Sequence, residues 1–140
     1  MKSFEAEAVI DASPKSVWRL ITDAPGYPSW NTTVDRVEGT IAPGETIKVY
    51  AKLRPGKAFP VTVEEFVADE RMTWVGGMPL GLFKGTRTFT LTSEARGTRF
   101  VMREAYTGGL APLIGRTLPD LQPAFDEFVA ALKHRAESEA

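Results

Sequence analysis

An arginine and a glutamate stand out because of where alternation puts them. In LFKGTRTFTLTSEARGTRFVMREAYTGG, residues 82–109, two alternating runs flank SEARG, the kind of short glycine-containing connection that joins neighbouring antiparallel strands. One face of the first run carries Phe83, Gly85, Arg87, Phe89 and Leu91; one face of the second carries Phe100, Met102, Glu104 and Tyr106. If Ser93 and Thr98 close a four-residue loop from Glu94 to Gly97, counting outward pairs Phe89 with Met102, Arg87 with Glu104 and Gly85 with Tyr106. Directly opposed residues have Cβ atoms only about 5 Å apart, within reach of a charge-assisted hydrogen bond. Two roles fit the pair. It is either the polar floor of an apolar ligand cavity, able to engage a carbonyl, hydroxyl or carboxylate, or a structural pair that pins strand register or sits at a wet rim. Catalysis ranks below both, because a paired arginine lowers the glutamate pKa and leaves a poor base near neutral pH.

Other reactive chemistry lacks its parts. The chain has no cysteine, which excludes disulfides, thiolate catalysis and cysteine-ligated metals and fits a reducing compartment. His134 is the single histidine, and it falls opposite an apolar helical stripe, so neither a histidine-dependent triad nor a multi-histidine metal site is available. No P-loop, Rossmann glycine pattern or acidic metal cluster appears, and neither a cofactor nor a metal is expected. With 17 basic and 18 acidic residues in 140, the formal charge of -1 offers no footprint for nucleic acid or an anionic membrane.

These residues need a scaffold, and the rest of the sequence supplies one. Residues 1–140 read as one domain with a single core. Ser3 to Asp11 alternates as a first strand. Ser13 and Pro14 open a helix whose stripe is Val17, Trp18, Leu20 and Ile21. PGYPSW then permits only a short helical turn or loop, carrying Tyr27 and Trp30, which are read as core ahead of the lip of a cavity; Asn31 is read as a turn residue ahead of a ligand contact. Strands are expected near 33–39, 46–53, 61–68 and 72–76, before the hairpin above. A long helix, roughly Leu118 to Glu137, follows, with Phe125 and Phe128 in its apolar stripe and Glu127 and His134 outside it. GGLAPLIG, just before it, is either a hinged gate or a rigid connector. The plan is α+β: a twisted antiparallel sheet covered by the long helix. Acidic residues interrupt the start of the chain where a signal peptide needs an apolar run, and no apolar stretch is long enough to span a bilayer, so a cytoplasmic protein without stable membrane insertion is expected.

The order of elements, with ASPKSVWRLITDAPGYPSWN, APGETIKV, ERMTWVGG and the hairpin through GGLAPLIGR, resembles the bacterial polyketide cyclase/dehydrase-like branch of the START-related superfamily, SRPBCC, over nearly the whole chain. The resemblance implies a helix-grip fold: a curved seven-stranded antiparallel sheet wrapped around the long C-terminal helix, with a cavity between them. The family it resembles spans lipid and hormone carriers, aromatase/cyclases and coenzyme Q-binding proteins. The favoured expectation, because it requires only the cavity, is binding of a small hydrophobic molecule such as a lipid, polyketide or other aromatic or isoprenoid-like compound. The wall would be built from Val49, Trp74, Phe89, Met102 and Tyr106 on the sheet and Leu121, Phe125 and Phe128 on or beside the helix. Arg87 and Glu104 would supply polar contacts. Two alternatives stand beside this: a cyclase or dehydratase acting in the same cavity, its catalytic residues unassigned, and an interaction module. A monomer or weak homodimer is expected.

Overall fold

The computed structural model describes residues 3–139. Seven strands, β1 (Ser3–Ile10), β2 (Val34–Glu38), β3 (Thr46–Ala51), β4 (Phe59–Val67), β5 (Arg71–Met78), β6 (Phe83–Glu94) and β7 (Gly97–Thr107), form one antiparallel sheet. Helices α1 (Pro14–Thr22) and α2 (Tyr27–Trp30), separated by a 3₁₀ turn at Ala24–Gly26, lie between β1 and β2; α3 (Ala111–Gly115) and α4 (Gln122–Glu139) follow β7. The spatial order is β1-β7-β6-β5-β4-β3-β2, so strands two to seven meander and β1 adds to the free edge of β7. The sheet curls into a half-barrel with α4 packed against it. Register shifts between Val34 and Arg36 and between Val63 and Phe66 are bulges of the kind that sharpen strand twist.

Local chemistry explains the helix ends. Ser13 Oγ accepts the Ser16 N–H at 3.2 Å and Pro14 occupies the first turn of α1, which buries Val17, Trp18, Leu20 and Ile21. α4 begins at Gln122, later than its apolar stripe suggests. Leu118 precedes Pro119, which disfavours helical backbone there, and Asp120 Oδ1 accepts the Gln122 N–H at 3.1 Å. The buried face of α4 is Phe125, Phe128, Val129, Leu132 and Ala136, while Glu127 and His134 face solvent, as the helical phase predicts.

The β6–β7 hairpin pairs one rung further than the expected loop, to Glu94 with Gly97, and turns through Ala95 and Arg96. The outward register is unchanged. Gly97 has φ +128, and a Cβ there would sit 2.2 Å from the Ile10 carbonyl oxygen, so this turn accepts only glycine. GGLAPLIG is tied to the β5–β6 turn: Gly109 N–H donates to the Gly81 carbonyl at 3.3 Å and Leu110 N–H to the Leu82 carbonyl at 2.7 Å. Its second half forms α3.

Candidate functional site: a polar row on the concave face

The pairing of successive strands draws one line of side chains across the sheet. Val63 of β4 is partnered by Trp74 of β5, Trp74 by Arg87 of β6, Arg87 by Glu104 of β7, and Glu104 by Phe4 of β1. Neighbouring rungs are apolar, as in Met72, Phe89, Met102 and Ala6. Arg87 and Glu104 are thus a charged pair set in an apolar wall, with the Trp74 indole beside them.

Arg87 Nε donates to Glu104 Oε1 at 2.7 Å. The guanidinium carbon also lies 4.7 Å from the Phe125 ring centroid and 6.0 Å from that of Phe128, so the arginine lies between the sheet and α4. The two charged side chains retain 22% and 17% of their exposure, so the pair is part-buried. Tyr106 also acts on the same carboxylate and helps to lower its pKa. Its ring lies over Gly85, where an added Cβ would come 3.3 Å from Cε1, and stacks on Phe83 with centroids 5.6 Å apart.

Electrostatics fix the protonation states. Burial pushes the Glu104 carboxyl up, but the Arg87 charge and hydrogen bonds from Tyr106 and Arg87 more than offset this and hold it below the ordinary range. Burial, followed by the Glu104 charge and hydrogen bond, raises Tyr106, which stays a protonated donor. Tyr27 is likewise raised by burial and donates to the Ile21 carbonyl at 2.7 Å. At neutral pH the site holds a carboxylate, a guanidinium and a phenol.

Several donors remain unused. Trp74 Nε1, Trp30 Nε1 and Asn31 Nδ2 are buried without a hydrogen-bond partner, and among the described residues neither Nη group of Arg87 takes one. Buried orphan donors are uncommon, and each calls for an explanation. Asn31 Oδ1 does perform the turn role read from the sequence, accepting from Thr33 N–H at 2.9 Å and Oγ1 at 2.8 Å.

Of the residues proposed for the wall, Trp74, Phe89, Met102, Tyr106, Phe125 and Phe128 are buried together with the pair; Leu121 is half-buried just before α4, and Val49 is buried on β3, two strands from β5. Side chains fill much of the space between them: Trp74 meets Phe89 at 4.9 Å between centroids and Phe89 meets Phe128 at 6.1 Å. Two surface cavities lie elsewhere. One of about 540 Å³ sits outside α4 between Trp30, Glu127 and His134, and one of about 410 Å³ lies beside Gly76, Pro79 and Lys84. The proposed wall left out Phe4, which packs on Phe125 at 5.7 Å and Tyr106 at 6.3 Å.

The fold is shared widely. A hypothetical protein from Helicobacter pylori superposes with a TM-score of 0.77 at 14% identity, over 96% of this chain and 88% of that one. A protein from Thermus thermophilus gives 0.69 at 23% identity over 99% of both chains. DynU16, from the dynemicin biosynthetic locus, gives 0.75 at 18% identity over 99% of this chain, which spans about half (48%) of DynU16. No curated protein sequence matches the chain. The model of the family described as polyketide cyclase / dehydrase and lipid transport matches residues 1–137, and with the seven-stranded helix-grip architecture this makes the chain a member of that SRPBCC-type family.

Proposed function

We propose that this protein binds a small, mainly apolar molecule carrying one acceptor group, a carbonyl, hydroxyl or carboxylate, between the concave face of the sheet and α4. The observation that supports this most is the row Trp74–Arg87–Glu104, in which indole and guanidinium donors stay unused inside an otherwise apolar wall. Apolar walls with a few placed polar groups are how proteins orient such ligands. An acceptor oxygen would engage Arg87 Nη and Trp74 Nε1, a hydroxyl would in addition donate to Glu104, and Phe89, Met102 and Phe128 would contact the apolar body. Because these side chains pack closely, the ligand displaces some of them on entry, with the Gly108–Asp120 connection as the wall that yields.

Binding is favoured over catalysis on the protonation states. Glu104 is held as an ion-paired carboxylate and Tyr106 as a phenol, so neither is poised near neutral pH to take a proton from substrate. Native mass spectrometry of freshly purified protein, complemented by tryptophan fluorescence during titration with apolar carboxylates, tests the reading. A retained apolar compound or a saturable change reporting on Trp74 is the expected result. Absence of both overturns it.

A further inference from the structure

We propose that the end of the molecule formed by the β3–β4, β5–β6 and β7–α3 loops docks peripherally on an anionic lipid surface. The meander brings these loops together: Val49 pairs with Phe59, Met78 with Phe83 and Lys84 with Thr107, and Gly109 and Leu110 are hydrogen-bonded to Gly81 and Leu82. Eight large hydrophobic side chains are exposed among the described residues, and six of them, Leu53, Phe59, Met78, Leu80, Leu82 and Leu113, are at this end. Leu80 is 93% exposed and has φ +61, in a region of backbone that leucine rarely adopts. A leucine held there contributes neither packing nor favourable turn chemistry, which leaves an external contact as its use.

Charge selects the occupant. Segments 51–60, 76–86 and 107–119 contain Lys52, Arg54, Lys57, Lys84 and Arg116 and no aspartate or glutamate. All five cations are exposed, and none belongs to an ion pair among the described residues. Arg54 lies over Phe59 at 5.5 Å, joining the basic and apolar features. The opposite end, by contrast, carries Asp69, Glu70, Glu94 and Glu137, interspersed with arginines. A formal charge of -1 therefore conceals a local excess of cations on these three loops. Apolar side chains projecting from three loop tips within a cationic collar suit insertion among acidic headgroups. An acidic protein would be matched by the charges alone and would leave the separate apolar tips without a role. Docking here is peripheral: among the described residues no helix is long and apolar enough to cross a membrane. It also stands apart from the ligand reading, since vesicle binding needs no occupied cavity.

The test is co-sedimentation of the full chain with phosphatidylcholine vesicles, with and without phosphatidylserine, for wild type, Leu80→Asp with Leu113→Asp, and Lys52→Glu with Arg54→Glu and Lys57→Glu. Circular dichroism and melting confirm that the variants fold. Wild type is expected to sediment with the phosphatidylserine vesicles and to dissociate as salt rises. Affinity should fall about tenfold or more for the leucine variant, and roughly fivefold for each cation removed. No binding to anionic vesicles, equal binding to neutral ones, or undiminished binding by the folded variants overturns the proposal. So does capture on polyglutamate beads that the leucine variant shares equally with wild type, which would point to an acidic protein instead.

Discussion

Arg87 and Glu104 are direct partners across β6 and β7, Nε to Oε1 at 2.7 Å, with the arginine also lying over Phe125 of α4. An ion pair in this position is not demanded by stability, because apolar residues of similar volume usually serve as well. The proposed function gives the pair a reason to be retained between sheet and helix, as the polar contact for a ligand.

Removing one charge strands the other. Arg87→Leu and Glu104→Leu should each destabilise by about 2 to 4 kcal/mol, toward the lower part of the range for buried pairs because both side chains keep some solvent contact. The double variant should recover much of that loss. Urea denaturation of the four proteins measures the coupling directly.

The same pair predicts the acid limb of stability. Glu104 has a folded pKa below its unfolded value, so its contribution is fully present above the ordinary carboxylate pKa and is lost as pH falls through the depressed folded one. Wild type should therefore exceed Glu104→Gln in stability at neutral pH, and the gap should narrow below about pH 4. Paired unfolding curves across that window check it; a constant gap would show that the charge is not what the native state uses.

The phase of α4 can be tested by contrast. Phe125→Ala should cost about 3 to 5 kcal/mol, whereas His134→Ala should stay within about 0.5 kcal/mol of wild type. Thermal melts suffice, and comparable losses for both would contradict the assigned face.

At the β6–β7 turn, Gly97→Ala should cost at least about 2 kcal/mol, since it adds a Cβ against the Ile10 carbonyl at a backbone conformation that L residues avoid. Equilibrium unfolding measures it; a neutral effect would mean that the turn relaxes.

The Arg87–Glu104 pairing was legible in the sequence because a short hairpin ties register to residue count. The remainder of the row was not. Phe4 reaches Glu104 through a β1–β7 pairing between residues a hundred positions apart, and the β5–β6 connection runs through Gly77 and Leu80 with positive φ, which alternation does not reveal. Pro119 and Asp120 carried the signal for the true start of α4, but the apolar stripe at Leu118 masked it. Composition also hid the local excess of cations on the three loops, because those five cations cancel against carboxylates elsewhere. How tightly Phe89, Met102 and Phe128 pack depends on rotamers and sheet curl, and no list of wall residues specifies these.

The central claim is that the polar row orients an acceptor on an apolar ligand. The most direct measurement compares Kd for a matched pair of aromatic probes, one carrying a carboxylate and the other a methyl in its place, on wild type and on the Arg87→Leu, Glu104→Leu double variant. Wild type should prefer the carboxylate by about tenfold or more, as expected for a charge-assisted hydrogen bond, and the folded double variant should bind both probes alike. The same preference in both proteins would contradict the account and leave the pair a structural feature of the sheet.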